Sequence, residues 1–211
     1  DVQDGKVGYM LPKGMLDYIT MQNNKGGNLD EKFNYKDMYL TERLPGEYGE
    51  QKFDGFSTAK TNPVGHIVQA TGIVFGNVVA KILDIDNPSV LYFLYFARFF
   101  NLLFYVTIVA ISISITPILK RTMAMIGIMP MSLFLAATVS YDPILISLAF
   151  LACAMIFRIS FGENQKELTT AYIVILSVIA YVFVVIKIVY VPIFLLMLFL
   201  PKFELKNKKI Y

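Results

Sequence analysis

FFNLLFYVTIVAISISITPIL, Phe99–Leu119, is the stretch whose reading decides the fold, with no charge between Arg98 and Lys120. At about 1.5 Å per residue it reaches roughly 30 Å, the thickness of a bilayer's hydrocarbon core. The competing reading, a buried helix of a soluble core, seldom needs so long an unbroken apolar run. The whole chain agrees with lipid as the medium. Its 211 residues are 56% hydrophobic and 17% charged, with a mean hydropathy of +0.57. Soluble domains carry roughly 25% charged residues, and a chain this short cannot bury so much apolar surface in one core.

Working outward, MAMIGIMPMSLFLAATVS (Met123–Ser140) is a second apolar segment, with a kink expected at Pro130. PILISLAFLACAMIF (Pro143–Phe157) is a third and a short one. Ala171–Leu200 is apolar except for Lys187 and broken by Pro192. As one helix it would extend roughly 45 Å, too far for one crossing. It reads as two elements, about Ala171–Ile186 and Val189–Leu200, the second re-entrant or broken. The fold class is therefore an all-α polytopic membrane protein with about four to five membrane helices after an extracytoplasmic loop region. The helices fall at about 90–119, 122–140, 143–158, 169–187 and 189–201, followed by a basic cytoplasmic tail.

Charge divides the chain. Residues 1–89 hold nine Lys/Arg against twelve Asp/Glu, a net −3; residues 90–211 hold ten against four, a net +6. The cations of the second half sit in loops between apolar segments, so the basic balance implies a membrane partner and no nucleic acid. The positive-inside rule puts Lys120-Arg121, Arg158–Lys166 and the tail from Lys202 in the cytoplasm. The Ser140-Tyr141-Asp142 turn and residues 1–89 are then extracytoplasmic. An even number of crossings between Lys166 and Lys202 follows, which favours a hairpin. One cysteine, Cys153, and one histidine, His66, make neither an internal disulfide nor a metal set. A start at Asp1 reads as an internal piece of a longer chain.

Residues 1–62 are polar, Gly-rich and Tyr-rich, a partly ordered extracytoplasmic loop region with one short helix around Met15–Asn23. Residues 63–89 change pattern. Val64, Ile67, Val68, Phe75, Val78, Val79 and Ile82 recur at helical spacing, with His66, Gln69 and Asn77 towards another side. An interfacial amphipathic helix is expected there, with a spanning helix as the alternative. The spanning alternative would place the N-terminal half inside.

Ionisable groups beside apolar spans are costly and therefore informative. Arg98 and Asn101, three residues apart, share a helix face at the outer end of the first span. A guanidinium there can clamp a phosphate bidentately or simply snorkel to the interface. Lys187, with Tyr190 near it, can hold an anionic lipid headgroup or snorkel. Asp142 before Pro143 fits a helix start, or a carboxylate facing an outer cavity. His66 fits packing, or proton transfer at the interface. GxxxxGK[ST], GxSxG and HExxH are absent from these 211 residues.

Four segments together resemble a bacterial polytopic membrane family catalogued as domain of unknown function 2142. They are NPVGHIVQATGIVFGNVV; YFARFFNLLFY, where Ala97 stands for the family's glycine and Arg98, Asn101, Leu102 and Leu103 fit; IMPMSLFLAATVSYD, matched at Pro130, Met131, Ser140 and Asp142; and IKIVYVPIFLLMLFLPKF, matched at Lys187, Tyr190 and Pro192. The resemblance covers about Pro63 to Phe203. That family looks like the C-type glycosyltransferases, polytopic enzymes that use a polyprenyl-phosphate-linked sugar on the outer face of the membrane. The resemblance implies a multi-pass protein of the bacterial cell membrane. It implies glycosyl transfer from a polyprenyl-phosphate-sugar donor in cell-surface polysaccharide synthesis. Its partners would be the bilayer and a lipid-linked sugar or surface polymer. The family's acidic motif, Pro-Asp-Glu…His, would precede Asp1, so no catalytic carboxylate is carried over and His66 does not stand in for the motif's histidine. The lipid-phosphate candidates are Arg98, Asn101, Lys187 and Tyr190; Asp142 and His66 are polar outer-face candidates. The alternative is a non-enzymatic membrane subunit for transport or assembly of a lipid-linked surface polymer.

Overall fold

Leu145, Ala152, Met155 and Ile159 return at intervals of three, four and seven residues, one face of an α-helix. Leu176, Ile179 and Phe183 do the same on a second helix, and the two faces meet in a core where Phe183 and Leu145 are wholly buried. A computed structural model of the chain describes residues 2–3, 6–12, 16, 19–20, 51–55, 62–85, 88, 90–162, 167–168, 170–199 and 204–205. The chain forms two units, Asp1–Thr61 with Gly72–Phe96, and Asn62–Thr71 with Ala97–Tyr211.

In the first unit, β1 (Val2–Gln3), β2 (Lys6–Pro12) and β3 (Gln51–Gly55) form an antiparallel sheet in that order. Gly8 pairs with Gly55 and Met10 with Phe53. The sequence reading expected no strands here. KVGYMLP alternates poorly, and its partner strand lies some forty residues away, so no local period reveals the pair. Most of the short helix expected around Met15–Asn23 lies outside the described residues. The unit also takes the later part of α1 (Ile67–Ile82) and the start of α2 (Val90–Ile115). Tyr92 Oη donates to the Gly76 carbonyl at 3.0 Å, and a Cβ on Gly76 would lie 3.1 Å from the Phe96 ring. Glycine at 76 thus lets the two helices approach closely.

In the second unit, α2 continues to Ile115, then α3 (Lys120–Gly127), α4 (Pro130–Ala136), α5 (Asp142–Phe161) and α6 (Thr170–Ile186) follow. The first span ends at Ile115 rather than Leu119, because Pro117 disfavours helical backbone at Thr116. The single kinked helix expected over 122–140 is instead two short helices. Met129 is extended at φ −57°, ψ 139°, as the residue before Pro130 prefers, so the chain breaks where a kink was expected. The third span, expected at 143–158, runs for 20 residues to Phe161. Arg158 stays helical, and Ser160 Oγ is satisfied by the Ile156 carbonyl at 2.8 Å.

Among the described residues, three helical stretches are long and apolar enough to cross a membrane: Pro63–Ile82, Val90–Ile115 and Asp142–Phe161. The first is the region for which the sequence offers an interfacial helix or a spanning one. Thr170–Ile186 is a shorter apolar helix. Ile173, Val174, Val178, Tyr181 and Val184 leave an apolar face of α6 uncovered, as lipid contact requires. Beyond Lys187, a 3₁₀ segment, Ile188–Phe199, packs Tyr190, Val191, Ile193 and Phe194 on the α5–α6 core. Glu204–Leu205 then pairs in parallel with Glu167–Leu168, just ahead of α6. Residues 170–199 are therefore a hairpin that turns at Lys187.

Candidate functional site

The turn of that hairpin lies beside the start of α5 and the start of α1, all within the second unit. Asn62 Oδ1 accepts from the Val64 N–H at 3.0 Å and Pro63 opens the turn, which launches α1 through a 3₁₀ turn at Pro63–His66. Gly65 is buried there. A Cβ on it would lie 2.9 Å from Tyr141 Cβ and 3.4 Å from Ile186 Cγ2. Only a glycine lets the backbone of this turn approach Tyr141 so closely, and that approach brings His66 to the Tyr141 ring.

A chain of polar contacts runs inward from His66. Its Nδ1 lies 2.6 Å from Gln69 Oε1. Gln69, 3% exposed, donates through Nε2 to the Ser140 carbonyl. Asn101, wholly buried on α2, donates through Nδ2 to the Thr138 carbonyl at 2.7 Å and the Ser140 carbonyl at 3.3 Å. Thr138 and Ser140 hydroxyls face each other at 3.1 Å, and Ser140 Oγ accepts from the Asp142 N–H at 3.3 Å. Two amide side chains from separate helices thus hold one backbone carbonyl of the α4–α5 connection. That carbonyl lies outside regular structure, so side chains must supply its donors.

The Tyr141 ring has both His66 and Lys187 as neighbours. His66 stands edge-on to it, with centroids 6.1 Å apart and planes at 74°. Lys187 Nζ lies 5.8 Å from the same ring's centroid, within cation–π range. Lys187 is exposed. Two polar atoms remain buried and without a hydrogen-bond partner among the described residues: Asn101 Oδ1 and Arg98 Nε. A buried acceptor and a buried donor left open are costly unless something fills them.

Of the six residues singled out in the sequence, His66 and Lys187 share the Tyr141 ring, and Asn101 joins His66 through Ser140 and Gln69. Asp142 is half-buried in the first turn of α5. Tyr190 lies with its ring 5.5 Å from Phe183, on the apolar core, and its N–H donates to the Lys187 carbonyl at 3.1 Å. Arg98 is half-buried on α2, three residues before Asn101. Sequence reasoning missed Tyr141, Gln69 and Gly65 as members of the cluster. The available signal was the i, i+3 spacing of His66 and Gln69 on one helix face.

The arrangement offers one exposed ammonium, one imidazole and a tyrosine ring at one end of an apolar helix pair. No curated protein and no solved structure gives a significant match to the chain. A family model does match, over residues 7–211, under the description "Predicted membrane protein (DUF2142)". The apolar helices and that match over nearly the whole length agree: the chain belongs to the DUF2142 family of predicted membrane proteins.

Proposed function

We propose that the second unit binds a lipid-borne phosphate and serves glycosyl transfer from a polyprenyl-phosphate-linked sugar in cell-surface polysaccharide synthesis. The observation that supports this reading is the convergence of Lys187 and His66 on the Tyr141 ring at the turn of an apolar hairpin. A sugar leaving a lipid phosphate develops negative charge on the phosphate oxygen. A fixed ammonium beside that oxygen stabilises the charge most where water is scarce. Arg98, with a buried Nε that lacks a partner among the described residues, supplies a second cation in the same unit. On this reading the Tyr141 side of the unit faces the cell exterior.

The test is cell-surface glycan composition in cells carrying the full-length protein with Lys187→Ala or Arg98→Ala. The expected result is glycan lost or shortened at unchanged protein level in the membrane. Wild-type glycan in both variants, with normal protein amounts, would remove the reading.

A further inference from the structure

The hydrogen bonds around Gln69 fix more than a position. Gln69 gives its amide N–H to the Ser140 carbonyl, which can only accept. The amide oxygen is therefore the atom that faces His66 Nδ1, at 2.6 Å. An amide oxygen has no proton to give, so Nδ1 must carry the hydrogen of that bond. The neutral imidazole is then the Nδ1–H tautomer, and Nε2 holds the free lone pair. Asn101 holds the same Ser140 carbonyl from α2, so the amide that sets the tautomer is itself anchored to a carbonyl held from a second helix.

The charged surroundings give that lone pair a task. Tyr141 is the titratable ring in contact with His66, and Lys187 stands over the same ring. Asp142 follows Tyr141 in the first turn of α5, and Arg98 is on α2. An anion seated against the Tyr141 ring with both groups would favour the imidazolium.

We infer that His66 is a proton-coupled ligand of this site, its Nε2 taking up a proton from solvent as a lipid phosphodiester settles against it and Lys187. The inference rests on the phosphate reading of the site and adds to it a residue, a tautomer and a proton. The imidazolium N–H then donates to a phosphate oxygen, and the proton returns to water when the lipid leaves. The sign follows from linkage. Binding favours the protonated ring, so affinity is highest on the acid side and falls as pH rises through the imidazole's range in the complex.

The experiment uses the full-length protein in detergent and two phosphodiesters that do not titrate between pH 5 and 9. These are the methyl ester of farnesyl phosphate and dihexanoyl phosphatidylglycerol. Calorimetry in two buffers of different ionisation heat reads protons taken up per ligand bound. Nitrogen-15 histidine spectra, with the His66→Asn spectrum subtracted, read the tautomer. His66→Asn keeps an N–H that can reach Gln69 Oε1 but lacks Nε2, and its melting temperature checks that it is folded.

The expected result is Nδ1–H in the free protein, proton uptake on binding, and affinity roughly three- to tenfold higher at pH 5.5 than at pH 8. In His66→Asn the uptake and the pH slope vanish, while Lys187→Ala weakens binding at every pH. Lys187-dependent binding without proton uptake or pH slope, or an Nε2–H tautomer, overturns the inference and leaves the phosphate site standing. No binding of either diester at any pH overturns both. Equal affinity for the two diesters, with proton uptake, upholds the His66 inference and assigns the site to ordinary headgroups rather than to a polyprenyl carrier.

Discussion

Replacing Asn101 by leucine tests whether the polar chain holds the α4–α5 connection in place. Asn101 is 0% exposed and gives two hydrogen bonds, to Thr138 and Ser140 carbonyls. Side-chain hydrogen bonds between membrane helices average about 0.6 kcal/mol and reach about 1.7. Losing two costs about 1–2 kcal/mol. Ser140 keeps its bond from Gln69, whereas the Thr138 carbonyl loses the Asn101 donor. That part-buried carbonyl left open adds roughly 1–3 kcal/mol. The expected total for Asn101→Leu is about 2–5 kcal/mol. In a chain of this size each kcal/mol moves the melting temperature by about 2–4 °C, so a fall of about 4–20 °C is expected. Asn101→Asp keeps the shape but turns the donor into a carboxylate facing two carbonyl oxygens. It should cost more than the leucine, by the logic of an uncompensated buried charge. The assay is thermal labelling of Cys153, half-buried in α5, by a fluorogenic maleimide in detergent. Asn101→Leu melting within about 1 °C of the wild type, or Asn101→Asp melting no lower than Asn101→Leu, would refute the reasoning.

Three further substitutions probe the frame of the site. Phe183→Ala removes a wholly buried ring that touches Tyr190 and Phe194, and should cost about 3–5 kcal/mol in the same melt; Val184→Ala, on the uncovered face, should change stability by no more than about 0.5 kcal/mol. Gly65→Ala places a Cβ 2.9 Å from Tyr141 Cβ and should cost about 1–3 kcal/mol by overpacking, more than the helix preference of alanine returns. The His66 nitrogen-15 signals should move in Gly65→Ala, and unchanged signals would show that the close approach to Tyr141 does not position the imidazole.

The membrane character was legible because it rests on run length, which lipid thickness sets directly. Phe99–Leu119 could be read without any neighbour. The break at Pro130 was read in place but not in kind. Pro130 announces a lost donor, and the extended backbone of Met129 is what a residue before proline prefers, so the break could have been read in place of the kink. The β2–β3 pair was illegible because its partners lie far apart in sequence and neither strand alternates strongly. At the site, the ionisable members His66 and Lys187 stood out as costly residues beside apolar runs. Gln69 and Tyr141 did not, since an amide or a tyrosine at a helix end is unremarkable in one dimension. Their part comes from tertiary contact across 71 residues from Gln69 to Ser140, which no local period carries.

The hairpin also separates what is ordinary about Lys187 from what is not. The outward leg, α6, has 17 residues and rises roughly 26 Å at 1.5 Å each; the return leg has 12 and rises roughly 24 Å at about 2.0 Å each as a 3₁₀ coil. The tighter coil lets the shorter leg match the longer one, and Pro192, which has no N–H to give, favours leaving the α-ladder there. The turn between the legs must then fall near residue 187. A cation suits that place by itself, because Lys187 N–H caps the Phe183 carbonyl at 2.8 Å and the residue directly follows the last turn of α6, the negative end of its dipole. A lysine there therefore has a structural role besides any ligand. The chain from Asn101 through Ser140 to Gln69 likewise holds the α4–α5 connection, but none of those contacts needs the imidazole at its end. Lys187→Ala accordingly tests the phosphate site itself, and His66→Asn tests the proton that an oriented imidazole adds to it.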